Sequence, residues 1–369
     1  MAATAGPLDG VRVIDFSTLL PGPLATLILA EAGAEVVKIE RPGQGDELRG
    51  YEPKLGASSA GFALLNRGKR SLALDLKDPA AVAKLEPLLA SAEVLVEQFR
   101  PGVMDRLGLA YDAVRQLNPK IVYSISGYGQ SGPKAAVAGH DPNYMADTGL
   151  LALGGGDDGM PTIPPGLIAD IGGGALPAVI NVPLALRQAE ATGGGCHLDV
   201  AMTDNLFAWQ WWALGLLAAG RTPRPGGELL TGGSLRFQIY RTGDGRLLAA
   251  APLEQRFWNT FCTLIDLPDD PRDDARDAAA TQSAVAQIIA SESGAPRRSA
   301  RPTSCSTVRL RISRNKPGAP PGSCRARPAD PRPPPAPWRA RSRSRRSRGS
   351  DERSARPGTR SRRARGCAG

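Results

Sequence analysis

The stretch VRVIDFSTLLPGPLATLILAEAGAEVVKIE, residues 11–40, decides the fold. Residues 11–16 are a run of apolar and β-branched side chains that predicts a short buried strand. Pro21-Gly22-Pro23 predicts a turn, residues 24–32 carry a helical pattern, and residues 35–39 predict a second strand. Together they form a βαβ opening. Working outward, the alternation continues with strands at 72–76, 94–99 and 121–126 and with helices at 78–91, starting from Asp78-Pro79, and at 111–117. Strands alternating with helices of this length specify an α/β protein with a parallel sheet covered on both faces.

Beyond Gly129 the rhythm changes. A polar loop leads to a helix at 142–153, a Gly/Pro-rich stretch and a longer helix at 173–190. A strand at 197–201 follows, then an apolar segment, 205–219, expected to be a buried connecting helix. Residues 237–240 and 247–251, joined through Thr242-Gly243-Asp244-Gly245, predict a β-hairpin, with helices at 254–266 and 281–291 beside it. The expected organisation is a large domain at 1–204, a connector at 205–225, an incomplete small α+β domain at 226–293 and a tail at 294–369.

The charge of +10 is unevenly distributed. Residues 294–369 hold 22 of the 46 basic residues and 3 of the 36 acidic ones, leaving 24 basic and 33 acidic residues in the body. The tail also contains 12 prolines and almost no apolar face. Such a composition buries too little surface to offset its ordering entropy, so the tail is expected to be disordered. Arg, Pro, Ala, Gly and Ser dominate it, as out-of-frame codons of a GC-rich gene would. A shifted reading frame is therefore expected, in preference to a tail that binds nucleic acid non-specifically. No run of eighteen apolar residues and no basic, apolar leader precede the first strand, which points to a cytoplasmic chain without a membrane span. Cys196 and Cys262, the two cysteines of the body, form neither a CxxC pair nor a zinc-ligand spacing, so no metal is expected.

Two residues carry chemistry. His140 sits in Ala138-Gly139-His140-Asp141-Pro142-Asn143, just before a helix for which Asp141 is the expected N-cap and Pro142 the first helical residue. An imidazole at the positive end of a helix is held neutral and can serve as a general base; the alternative is a plain loop residue. His197, at a strand start, reads as structural. Asp170 lies in Leu167-Ile168-Ala169-Asp170-Ile171-Gly172-Gly173-Gly174. Apolar neighbours raise a carboxyl pKa, and the glycines would let a ligand approach backbone N–H groups; the alternative is a helix N-cap. An acid, an imidazole and a donor-rich helix start are the parts needed to remove and replace a proton beside a carbonyl.

The order of several motifs resembles the class III CoA-transferase family, of the CaiB/BaiF type. They are Pro21-Gly22-Pro23-Leu24-Ala25-Thr26, Gly33-Ala34-Glu35-Val36-Val37-Lys38-Ile39-Glu40, Asn66-Arg67-Gly68-Lys69-Arg70-Ser71, Phe99-Arg100-Pro101-Gly102 and Gly127-Tyr128-Gly129-Gln130-Ser131-Gly132-Pro133. The match runs from about residue 8 to about 293. The Gly-His-Asp loop, followed thirty residues later by Asp-x-Gly-Gly-Gly, resembles the α-methylacyl-CoA racemase branch. That resemblance implies a Rossmann-like large domain, a small domain, and interlocked homodimers. It implies His140 and Asp170 as a two-base pair and Glu254 as support for the histidine. It also implies contacts to the CoA of an acyl-CoA substrate at Arg41, Leu74, Asp75, Leu76, Lys77, Gln98, Phe99, Arg100, Arg106, Gly139, Asp141, Pro142, Asn143 and Tyr144. No cofactor beyond that CoA is implied. Arg41, Lys77, Arg100 and Arg106 are suited to CoA phosphates, or else belong to a solvated charged face. Glu40 could suggest a dinucleotide ribose, but no GxGxxG follows the first strand.

The rival reading is a CoA-transferase in which Asp170 is the nucleophile of an aspartyl-CoA thioester. A second alternative is an inactive product, because a frame shift would remove the segment that returns to the large domain.

Overall fold

The computed structural model describes residues 6–155, 160–291 and 307–310. Strands β1 (Arg12–Asp15), β2 (Glu35–Glu40), β3 (Arg70–Ala73), β4 (Val94–Glu97), β5 (Val122–Gly127) and β6 (Cys196–Ala201) form one sheet in the order β3-β2-β1-β4-β5-β6. Every pairing is parallel. The chain moves outward from β1 to β3, returns to the centre, and moves the other way from β4 to β6. This doubly wound order opens a crevice at the carboxyl ends of β1 and β4, where successive connections diverge to opposite sides.

Helices α1 (Pro21–Glu31), α2 (Ala60–Asn66), α3 (Pro79–Ala83), α4 (Glu86–Ser91), α5 (Val103–Arg106), α6 (Tyr111–Leu117), α7 (Asp141–Asp147) and α8 (Leu176–Thr192) accompany the sheet. Alternation along the strands sorts the core into two layers. Ile14, Val37, Ile39 and Leu95 pack with Leu89 of α4 and Val114 of α6. Val13, Val36, Val94 and Val96 pack with Leu29 of α1 and Val182 of α8.

Proline sets two boundaries differently from the expectation. The turn expected at 21–23 is the first turn of α1, because a proline there removes an N–H that has no helical partner anyway. The helix expected over 78–91 is two helices. Asp78 caps the first by accepting the Ala80 N–H at 2.9 Å. Pro87 has no N–H to bond back to Ala83, so the second starts afresh.

A smaller assembly follows. Helices α9 (Met202–Trp209) and α10 (Trp211–Ala218) lead to strands β7 (Gln238–Arg241) and β8 (Leu247–Ala250), and then to helices α11 (Gln255–Leu264) and α12 (Ala278–Ser291). Trp258, Phe261, Cys262, Val285 and Ile289 form its core. The connecting helix expected to be buried is neither single nor buried: it breaks at Gln210, and Phe207, Trp209, Trp211, Leu214 and Leu217 are exposed. Its apolar residues surround the axis, and the chain covers only part of that circumference.

The tail expected to lack order contains strand β9 (Thr307–Leu310), antiparallel to β8, which makes a three-stranded sheet β9-β8-β7. Thr307-Val308-Arg309-Leu310 is a short β-forming run, and the edge of β8 away from β7 supplies its backbone partners. The rest of 294–369 lies outside the described residues. Both sheets belong to one compact unit, Met1–Ile312. The stretch Ala169–Thr192 is long and apolar enough to cross a membrane by length and composition; half of it is buried in the fold, with Val182 and Ala185 against the sheet.

At the crevice the chain buries charge. Asp15 accepts hydrogen bonds from the Ser17 N–H (2.9 Å), the Ser17 hydroxyl, Thr26 Oγ1 (2.7 Å) and Lys69 Nζ (3.2 Å). Lys38 Nζ donates to the Ser17 carbonyl at 2.5 Å and pairs with Asp46 at 3.0 Å. Burial opposes the Asp15 carboxylate, yet Lys38, Lys69 and the two hydroxyls outweigh it and hold its pKa below the usual value. Burial pulls the Lys69 ammonium down to about 8, with Asp15 resisting.

Glu97, 3% exposed at the end of β4, forms no ion pair among the described residues, and the Asp105 carboxylate lies near enough to oppose its charge. Its Oε2 accepts the Phe99 N–H at 2.5 Å, and burial raises its pKa from 4.5 to about 7. A carboxyl that ionises later in the fold than in the unfolded chain costs stability as pH rises from 4.5 through 7. Glu97→Gln keeps the acceptor and removes that cost. The variant should therefore gain on the parent by on the order of 3 kcal/mol between pH 4.5 and pH 8 in denaturant titrations. Parallel stability curves would show that Glu97 ionises as freely in the fold as in water.

Candidate active site

A cleft of about 250 Å³ opens over the carboxyl ends of β1, β4 and β5. Leu19 comes from the loop after β1 and Pro21 from the start of α1, Gln98, Phe99 and Arg100 follow β4, Gly127 ends β5, and Tyr128 and Gln130 follow it. Gly139, His140, Tyr144 and Asp170 complete it. Its base is tied to the crevice: Gln98 Nε2 donates to the Thr18 carbonyl at 2.6 Å, and Gln98 Oε1 accepts the Gly22 N–H at 3.2 Å. Leu19 has a positive φ of 62°, a conformation unfavourable for a leucine, and its N–H is held by Asp46 at 3.2 Å.

His140, not Asp141, is the N-cap of α7. Its N–H donates to Asn143 Oδ1 at 2.9 Å, and its carbonyl accepts the Asn143 N–H at 2.8 Å. Asp141 is the first helical residue, buried, and its Oδ1 accepts the Asp170 N–H at 3.0 Å. Capping with the residue before it frees the aspartate to reach across. A single hydrogen bond thus joins the histidine's helix to the aspartate's turn. Gly139 packs against the paired rings of Tyr128 and Tyr144, whose centroids are 4.6 Å apart; a Cβ there would come within 2.9 Å of Tyr128 and 3.2 Å of Tyr144. The Tyr144 hydroxyl donates to the Gly139 carbonyl at 3.0 Å.

Asp170 lies in a wide π-helical turn, Ala169–Ala175, that runs into α8. Gly172 and Gly173 serve packing, not ligand approach. A Cβ on Gly172 would lie 2.3 Å from the Trp209 ring, and one on Gly173 would lie 2.6 Å from the Met202 carbonyl. The expected donor-rich helix start is also consumed: the Asp170 N–H goes to Asp141, and the Ile171 N–H to the Leu167 carbonyl at 3.0 Å. The side chain is half-buried. Burial, then the neighbouring Asp141 charge, raise the Asp170 pKa to about 6, and His140 opposes them. Burial, then the Asp170 charge, raise the Tyr144 pKa, and Arg100 opposes them.

Of the predicted site residues, His140, Asp170, Gln98, Phe99, Arg100, Gly139 and Tyr144 line this one cleft, while Asp141 supports it from behind. Pro142 and Asn143 shape the start of α7 and do not line it. Arg41 lies further along the same sheet edge, exposed, with its side chain on the Gly45 carbonyl (3.0 Å) and Glu47 (3.6 Å). Leu74, whose N–H bonds the Glu40 carbonyl at 2.9 Å, brings Asp75, Leu76 and Lys77 beside it. Leu74 and Leu76 pack into the core, and Lys77 and Arg106 are exposed. Glu254 stands apart from the cleft as the N-cap of α11. Glu40 is committed to Arg49 at 2.7 Å and Ser71 at 2.5 Å, which removes it as a ribose ligand. His197 stacks on Tyr111 at 5.1 Å. Sequence reasoning missed Leu19, Tyr128, Gln130 and Met202; the first three directly follow predicted strands, and that position is the signal that could have found them. Among the described residues no group of three or more His, Cys, Asp or Glu side chains is placed to hold a metal.

Known proteins share the sequence pattern and the fold. The family model for CoA-transferase family III matches residues 8–298. The acetyl-CoA:oxalate CoA-transferase of Acetobacter aceti is 42% identical over 277 residues, covering 73% of this chain and 70% of that one. The α-methylacyl-CoA racemase of Mus musculus is 39% identical, covering 68% and 62%. The succinyl-CoA:glutarate CoA-transferase of Homo sapiens is 36% identical, covering 71% and 60%. The chain thus spans less than two thirds of the length of the last two. Among solved structures, a CAIB/BAIF family protein from Brucella suis superposes with a TM-score of 0.66 at 30% identity, covering 78% of this chain and 77% of that one. The hypothetical protein Rv3272 of Mycobacterium tuberculosis superposes with a TM-score of 0.68 at 30% identity, covering 79% and 80%. The matched region and the shared doubly wound fold agree, and the chain belongs to CoA-transferase family III.

Proposed function

We propose that the chain epimerises the α-carbon of 2-methylacyl-CoA thioesters by two-base proton transfer through an enolate. The observation that carries this reading is the presence of His140 and Asp170 in one cleft, with the Asp170 carboxyl raised to about 6. A thioester laid between them would lose its α-proton to one and receive a proton on the opposite face from the other. The pair needs one shared proton: ionised Asp170 with imidazolium, or protonated Asp170 with neutral imidazole. A carboxyl titrating near 6 keeps both states accessible near neutrality. Residues 1–204 would form the CoA-binding domain, 205–225 the connector and 226–293 the smaller domain. Arg41, Lys77, Arg100 and Arg106, along the carboxyl edge of the sheet, would meet the CoA phosphates.

The working unit in this reading is a homodimer. Ile180 and Trp211, 62% and 61% exposed, belong to an uncovered apolar surface on α8, α9 and α10 that a second copy would bury. Because Glu254 lies outside the cleft of its own chain, its implied role beside His140 falls to the second copy.

The second reading, a CoA-transferase with Asp170 as nucleophile, is favoured by the 42% identity to an oxalate transferase. Incubation with a 2-methylacyl-CoA in deuterated water separates the two. Epimerisation should place deuterium at C2 and lose it at least ~100-fold in Asp170→Asn. CoA passing to an added free acid without deuterium uptake would overturn the racemase reading.

The pH dependence follows from the charges. Where Asp170 acts as base, the rate should fall as pH drops through about 6. Asp141→Asn keeps an oxygen for the Asp170 N–H and removes the like charge, so this acid limb should move about one pH unit lower. An unmoved limb would assign it to another group.

A further inference from the structure

A second cavity, of about 190 Å³, adjoins the cleft, and Arg100 and Gln130 line both. Glu97 at the end of β4, Asp105 on α5, Tyr111 and Asp112 on α6, Tyr123 on β5 and His197 on β6 form its walls. Tyr123 belongs to the core layer of α4 and α6, on the opposite side of the sheet from α8, so the uncovered apolar surface is not part of this site.

Glu97 is the incomplete group. Its Oε2 accepts the Phe99 N–H, but its Oε1 has no hydrogen-bond partner among the described residues and is not enclosed by protein. The rest of the residue is buried and Glu97 lines this cavity, so the free oxygen opens into it. A buried carboxylate calls for a cation, and the neighbouring charge that acts on Glu97 is another carboxylate, Asp105. Asp105 and Asp112, exposed at the mouth, outnumber Arg100, the guanidinium that lines the cavity. Burial holds the His197 imidazole below its usual range, with Asp199 and Asp112 opposing. Asp199 accepts the Gln130 N–H at 2.8 Å, and Arg115 stands 6.0 Å from the Tyr111 ring; neither lines the cavity. Tyr111 and Tyr123 meet edge to face with centroids 5.9 Å apart, and aromatic faces attract cations. Among the described residues no three acids or histidines converge on a metal position, so a cation that fills the space between them is an organic one.

We propose that this cavity binds a small primary alkylammonium, with an N–H on Glu97 Oε1, the carboxylates of Asp105 and Asp112 balancing its charge, and its stem against the Tyr111 and Tyr123 rings. The site does not depend on which reaction occurs in the cleft. Its occupant would sit behind the segment 98–100, which lines the cleft and whose Phe99 N–H is held by the same Glu97 carboxyl.

Calorimetric titration of the full chain with butylamine tests this, with butyrate as an anion of equal chain length. Butylammonium should bind saturably at pH 8 and butyrate should not. Glu97 titrates at about 7 and must give its proton to the buffer for the ammonium to bind. Affinity should therefore fall about tenfold from pH 8 to pH 6, and the heat should change with the ionisation enthalpy of the buffer. Glu97→Gln, which the fold is expected to tolerate, should weaken binding about tenfold and remove the pH dependence. Asp112→Asn, at the exposed mouth, should weaken it about twofold. Equal binding of butylammonium and butyrate, no binding of either, or unchanged affinity or pH dependence in Glu97→Gln would overturn the proposal.

Discussion

Lys69 reaches from the start of β3 into the interior, where four oxygens lie within hydrogen-bond distance of its three N–H groups: Asp15 Oδ2, Thr26 Oγ1, Asn66 Oδ1 and the Pro23 carbonyl. With Lys38 and Asp46 it fastens the end of β1, the loop after it and the first turn of α1 to the segments on either side. Two ion pairs removed from water gain little net stability, because desolvation offsets most of their attraction. What they supply here is position. Ammonium groups buried among fixed oxygens hold Asp15 on one side and Pro23 and Thr26 on the other, and so leave few arrangements for the loop between them. That loop, residues 17–20, forms one lip of the crevice where the sheet reverses direction.

The cleft is built outward from this fixed lip. The Gln98 amide clasps the loop from the end of β4, and the residues after it, Phe99 and Arg100, face the cleft as a result. The opposite wall is held separately. Asp141 uses its carboxylate on the Asp170 N–H, so the histidine and the aspartate keep their spacing through one short connection. The same carboxylate also repels the charge on Asp170 and contributes to its raised pKa. One side chain therefore contributes to both the geometry and the electrostatics of the pair, with Asp141 buried while His140 stays at the surface.

The apolar surface of α8, α9 and α10 has a different origin. The glycines of the π-helical turn let α9 approach closely enough for Trp209 to cover Gly172 and for Asn205 to bond the Gly173 carbonyl at 2.8 Å. That contact uses one side of α9 and leaves the outer tryptophans and leucines uncovered. Close packing at the active-site turn and exposure on the far side follow from α9 carrying apolar residues on more than one side, Met202 and Leu206 buried, Phe207 and Trp209 exposed.

Local sequence by itself determined the α/β alternation, because strands of Val and Ile and helices of period 3.6 differ in pattern over a few residues. It also singled out His140 and Asp170, since an imidazole before a helix and an acid among apolar neighbours are rare enough to stand out. Strand β9 was illegible because four residues of modest β-propensity become a strand only when the edge of β8 is present to pair with them. The roles of Asp141, Gly172 and Gly173 were misread for a related reason: an N-cap and a glycine look the same in sequence whether they serve the backbone nearby or a partner thirty residues away. Only the tertiary structure decided those partners and the uncovered face of the connecting helices. Each of these depends on what other segments bring to within a few ångströms, and contact of that kind has no local signature.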